Sequence, residues 1–147
     1  MSYIDSSLLP GEIVVARAKL HWIVFLKSIA VGTAGILLLF VHPAIGGVVL
    51  LLGIVLAVPP FVKYKTSEFG VTNKRVVIKV GVIRRRTVEL LSRQVEAISV
   101  EQSILGRMLN YGSITLTGTG GVREVFHDIA APLEFRRQIQ GQIVSAA

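Results

Sequence analysis

The side chains best suited to chemistry in this sequence are its cations. Lys63, Lys65, Lys74, Arg75 and Lys79 lead into three consecutive arginines, Arg84, Arg85 and Arg86, all within a stretch of the chain centred on "KVGVIRRRTVEL". Ammonium and guanidinium groups at this density bind anions, which means nucleic acid, an acidic protein or an anionic membrane surface. The whole chain agrees in sign, with 16 Lys+Arg against 9 Asp+Glu and a formal net charge of +7.

Other chemistries lack their residues. There is no cysteine, which removes disulfides, thiolate zinc sites and cysteine nucleophiles. The histidines His21, His42 and His127 are scattered and show no metal-ligand spacing. His127-Asp128 with a serine is the one tempting hydrolytic set, but no nucleophile motif accompanies it. The glycine cluster from Gly118 to Gly121 joins two predicted strands, whereas a phosphate loop joins a strand to a helix, so it reads as a hairpin turn. Single-strand nucleic-acid binders interleave basic and aromatic residues, yet no aromatic lies between Lys74 and Arg86. The expectation is no catalytic, metal or cofactor site and no nucleic-acid partner, which leaves a membrane surface or a protein.

The elements that must position these cations begin with an apolar block. Hydrophobic residues make up 52 % of the chain and charged residues only 17 %. Residues 22–41, "WIVFLKSIAVGTAGILLLFV", carry one charge, and residues 44–62 carry none. Each is long enough as a helix, at about 1.5 Å per residue, to cross a bilayer core of roughly 30 Å. Neither keeps the polar stripe of a soluble helix, so the pair reads as a transmembrane hairpin turning at His42-Pro43. The first twenty residues lack the order of a cleavable signal peptide. Arg17, Lys19 and Lys27 flank one end of the hairpin and Lys63 and Lys65 the other, with no basic residue in the turn, which puts both termini in the cytoplasm. Ser28, Gly32, Gly53 and Ala57 recur at helix-packing spacing and suit close backbone approach, within the hairpin or between subunits. Pro59-Pro60 removes two helical donors and is expected to kink or end the second helix.

From Thr66 onward the hydrophobic period changes to two. Strands are expected around "SEFGVTN", "KRVVIKV", "IRRRTVELL", "VEAISVEQ", "SITLTGT" and "VREVFHDI", with "SILGRMLNYG" as a compact turn or short helix. The last seventeen residues form an amphipathic helix that opens at Pro132, with Phe135, Ile139 and Ile143 as its buried stripe. "GEIVVARAKLHW" adds a further strand before the hairpin. The resulting division is a lead-in segment 1–21, a hairpin 22–62 (helices 22–41 and 44–62), and a cytoplasmic β-rich domain 63–147. Since Val88 and Leu90 share one strand face, alternation puts Arg84 and Arg86 on that face and Arg85 on the other.

The segments "FGVTNKRVVIKVGVIRRRTVELL", "ILGRMLNYGSITLTGTGG" and "FHDIAAPLEFRRQI", with Gly11-Glu12 and His21-Trp22 before the hairpin, together resemble the bacterial membrane-flanked pleckstrin-homology-like domain family. The resemblance covers nearly the whole chain. It implies an antiparallel β-sandwich or barrel capped by the last helix, in a self-associating protein of the bacterial inner membrane, and it implies no reaction. Two functional expectations follow. In the first, Lys63, Lys65, Lys74, Arg75, Lys79, Arg84 and Arg86 contact anionic lipid headgroups. In the second, the chain is a scaffold that assembles with itself or with a membrane-protein partner.

Overall fold

The computed structural model describes residues 3–81 and 86–146, and divides into two compact units. One is Trp22–Lys65. The other joins Met1–His21 to Thr66–Ala147, so the lead-in segment and the C-terminal domain are a single body with the hairpin inserted between them. The lead-in segment 1–21 and the C-terminal domain, expected as separate pieces, therefore form one unit, and the hairpin unit ends at Lys65.

The split body has two antiparallel sheets. Strands β1 (Val14–Ala18), β2 (Glu68–Thr72), β3 (Arg75–Val80) and β4 (Arg86–Leu91) lie in that order in the first. Strands β5 (Val95–Glu101), β6 (Tyr111–Gly118) and β7 (Arg123–Ala130) form the second. Alternation sends Phe69, Val71, Val76 and Ile78 to the core, where Phe69 meets Phe126 of the second sheet edge-on at 6.0 Å between ring centroids. Ile114, Leu116 and Ile129 complete that core from the second sheet. The C-terminal helix, Pro132–Ala146, buries Phe135 and Ile139, with Ile143 half-buried. The Gly118 to Gly121 cluster is the expected hairpin turn, with φ of +89° at Gly120 and +78° at Gly121.

The outer face of the first sheet is not left to solvent. A short helix, α1 (Tyr3–Ser6), lays Ile4 over Gly70, which has no Cβ to obstruct it, and Ile4 is buried. The backbone N–H groups of Tyr3 and Ile4 donate to the Glu68 carboxylate at 3.1 and 3.2 Å. Val77, opposite Gly70 on this same face, is also buried.

The inserted unit consists of a 3₁₀ turn, Trp22–Phe25, then α2 (Leu26–Leu39) and α3 (Pro43–Thr66). Both spans, Trp22–Leu39 and Pro43–Thr66, are long and apolar enough to cross a membrane, and little of either is buried. Two corrections apply. The first helix stops at Leu39 rather than residue 41, and the second runs through Pro59 and Pro60 to Thr66. Two prolines remove only the donors to the carbonyls four residues back, and regular helix bonding can resume beyond them.

The two helices meet through glycine. A Cβ on Gly53 would lie 2.8 Å from the Gly32 nitrogen, and one on Gly35 would lie 2.5 Å from the Leu50 nitrogen. Gly53 and Gly35 thus serve contact inside the hairpin, where only the absence of a Cβ permits so close an approach.

Candidate functional site

The described cations occupy three different environments. At the β2–β3 turn Arg75 is buried, not on the surface as expected. Its guanidinium forks onto Glu12, with Nε donating to Oε1 at 2.9 Å and Nη2 to Oε2 at 3.1 Å. Nη1 donates to Glu89 at 2.5 Å, and Nη2 also reaches the Ser7 carbonyl at 2.6 Å. The Thr72 hydroxyl donates to Glu12 Oε1 at 2.7 Å, and the Leu9 N–H donates to Oε2 at 2.7 Å. Burial alone pushes the Glu12 carboxyl up, but the Arg75, Leu9 and Thr72 hydrogen bonds and the Arg75 charge together outweigh it. The carboxyl is lowered from 4.5 to about 2. The Glu12 hydrogen bond likewise raises Arg75 further above its ordinary value. Arg75 therefore clamps the lead-in segment to the first sheet, and the expectation of an anion-surface contact is corrected for it. An arginine followed by alternating valines looks the same in sequence whether its head is buried or free; Glu12, sixty-three positions earlier, decides the matter. Lys74 beside it is exposed and donates to the Pro10 carbonyl at 2.9 Å.

Lys79 and Arg86 stand at the opposite end of the sheet. Register pairs Glu68 with Lys79 and Val80 with Arg86, so this is the end at which the chain returns from the hairpin. The length of β3, about 17 Å at roughly 3.4 Å per residue, separates Lys79 from the Lys74 end. Lys74 and Arg75 consequently do not share a patch with Lys79 and Arg86. Lys79 sits 4.6 Å above the Tyr3 ring, a cation–π arrangement. Arg86 shares the inward face with Val88 and Leu90, as alternation required. It reaches across to Glu124 on the second sheet at 2.6 Å while keeping 69 % of its side chain exposed. The anion expected for Arg86 is thus met first within the molecule, leaving most of its surface open to a second one. Arg84 and Arg85 lie outside the described residues. Lys63 and Lys65 occupy the last turn of α3, half-buried and exposed respectively.

The other expectations can be placed as well. Ser28 is buried and its hydroxyl donates to the Phe25 carbonyl at 2.8 Å. Ser28, Gly32, Gly53 and Ala57 line one groove of about 350 Å³ on the hairpin, together with Trp22 and Phe25. Ser113 Oγ lies 2.9 Å from His127 Nδ1 on the exposed side of the second sheet. Asp128 follows with φ +61°, its carbonyl accepting from the His21 N–H at 2.7 Å.

A four-stranded and a three-stranded antiparallel sheet, closed by one C-terminal helix, define a pleckstrin-homology-like module, a type that is generally non-catalytic. The model of the Bacterial PH domain family matches residues 21–143, and the chain belongs to that family. Among solved structures it is similar to a DUF1696 family protein with a pleckstrin-homology domain from Shewanella loihica PV-4. That likeness has 15 % identity and a TM-score of 0.39, over 52 % of this chain and 70 % of the other. No curated protein matches the chain.

Proposed function

We propose that this chain is a membrane-anchored, non-catalytic module at the inner face of a bacterial cytoplasmic membrane, where it binds anionic lipid headgroups. The observation that carries the reading is the pairing of β1 with β2, Ala18 opposite Phe69, across the inserted hairpin. The chain leaves the domain after His21 and rejoins it at Thr66. Two apolar helices between those points therefore make an out-and-back excursion, with both ends on the domain's side. The basic residues at those ends, and none in the turn, favour the cytoplasm for that side. Lys79 and Arg86 mark the end of the sheet that the returning chain enters. They are the cations of the domain that headgroups would meet, and Lys63 and Lys65, in the last turn of α3, are those of the hairpin.

The reading is tested on a form in which a short Gly/Ser linker replaces Trp22–Lys65. It should float with liposomes containing anionic lipid at low salt and be released by added salt. Basic residues near such a surface contribute about 1 kcal/mol each, so Lys79→Gln with Arg86→Gln should weaken binding by about thirtyfold. No flotation at low salt, or a double variant that binds like the parent, overturns headgroup binding. A second reading, a self-assembling scaffold, draws on the groove beside Gly32, Gly53 and Ala57, which has the small-residue lining that a second hairpin packs into. A monomeric mass for the full chain across several detergents and nanodiscs would remove it.

A further inference from the structure

A helix between β5 and β6, α4 (Ile104–Leu109), turns its apolar residues outward. Ile104 is 80 % exposed, Leu105 58 %, Met108 76 % and Leu109 40 %. At about 100° per residue these four fall within an arc of roughly 140°. Gly106 and Arg107 occupy the rest of the circumference. Gly106 is buried because a Cβ there would come within 2.7 Å of the Tyr111 carbonyl oxygen. The helix thus rests on its glycine, and its large side chains cannot turn inward. It is held firmly, since the Ser103 side chain caps Gly106 N–H at 3.0 Å and Asn110 closes the other end in the left-handed conformation. Gln102 Nε2 donates to the Tyr111 carbonyl at 3.0 Å.

The Tyr111 ring stacks on His21 at 5.1 Å between centroids, and His21 is the residue covalently joined to Trp22, where the apolar hairpin begins. A rigid cluster of large apolar side chains is thereby fixed one aromatic stack from the point at which the chain would enter a bilayer. We propose that α4 is an interfacial wedge, its Ile104, Leu105, Met108 and Leu109 face immersed in the headgroup–acyl boundary of the membrane the hairpin spans. Exposed Arg107, on the flank of the apolar arc, extends back to the headgroups. The proposal rests on the membrane-anchored reading and adds a second, apolar contact to the cationic one. It also fixes the domain's tilt, because a body held by a hairpin and a wedge cannot rotate freely over the surface.

The absence of cysteine makes the test direct. The full chain is placed in lipid nanodiscs with a single cysteine carrying an environment-sensitive fluorophore at Met108→Cys, Leu51→Cys or Thr119→Cys. Leu51 reports the hairpin, and exposed Thr119, in the β6–β7 turn, is the aqueous control. The wedge predicts that Met108→Cys is quenched by iodide about threefold less than Thr119→Cys and is quenched by spin labels carried shallowly on lipid. Leu51→Cys shielded but Met108→Cys as open to iodide as Thr119→Cys overturns the wedge and leaves the anchor standing. Met108→Cys shielded from iodide yet untouched by lipid spin labels overturns it in favour of a protein contact. If Leu51→Cys is itself open to iodide, the anchor fails and the wedge with it.

Discussion

Arg75 and Glu12 show how one buried pair sets the use of a whole segment. The Glu12 side chain is fully buried and that of Arg75 only 11 % exposed. Removing one partner of such a pair leaves an uncompensated charge, at a cost of about 3–5 kcal/mol. Arg75→Met should therefore destabilise the domain by that order at neutral pH. Because the Glu12 carboxyl is lowered from 4.5 to about 2, its stabilisation is complete above pH 4.5 and is lost as the pH falls through about 2. It amounts to about 3 kcal/mol. In Arg75→Met, burial without a counter-charge raises the same carboxyl, so the sign reverses and this site favours folding more as the pH falls towards about 3. Chemical unfolding followed by circular dichroism at neutral pH and at roughly pH 3 measures both slopes. Parallel slopes in parent and variant would mean that the clamp is not the titrating element.

At the scale of elements, the hairpin's glycines differ sharply in what they tolerate. Gly35 and Gly46 face the opposing backbone, at Leu50 and Leu39, whereas a Cβ on Gly32 or Gly47 meets nothing within 4 Å. Gly35→Ala and Gly46→Ala should each destabilise the hairpin, by about 1–3 kcal/mol for overpacking against backbone. Gly32→Ala and Gly47→Ala should be neutral or gain up to about 1 kcal/mol from helix propensity. Thermal melts of the four variants in one mild detergent rank them; equal midpoints would show that the glycines do not set the helix contact. Spacing alone marked Gly32 and Gly53 as packing residues and drew no distinction between them. The distinction arises because only one of the two directs its missing Cβ at the other helix.

For the molecule as a whole, the inserted hairpin dictates which pieces can fold. The piece Thr66–Ala147 lacks β1, Ile4 and Glu12, so it would expose the β2 edge and the Val77 face and leave Arg75 with Glu89 but without its fork onto Glu12. An open strand edge invites association. We expect that piece to aggregate or remain partly unfolded. The form with Trp22–Lys65 replaced by a short linker should unfold cooperatively, since β1 and β2 are antiparallel neighbours and a hairpin-length connection can join them. Size exclusion and denaturant melts of both forms decide it. Equal stability would show the lead-in segment to be dispensable.

Period-two alternation in β2, β3, β5, β6 and β7 and the apolar runs of α2 and α3 were legible in the sequence because each depends on residues close together along the chain. The face of Arg86 was legible for the same reason, since Val88 and Leu90 stand two and four positions away. What cations at the two ends of β3 do was not legible. Arg75 is claimed by Glu12, Arg86 by Glu124, and Lys79 by the Tyr3 ring, partners that are 63, 38 and 76 positions distant in the chain (75 − 12, 124 − 86, 79 − 3). The union of the segments before and after the hairpin was hidden likewise, because β1 pairs with β2 across an insertion of more than forty residues. Local pattern determines which elements form and which way their side chains alternate. Whether a charge is buried, shared or free depends on what the folded chain brings opposite it, and only the tertiary structure decides that.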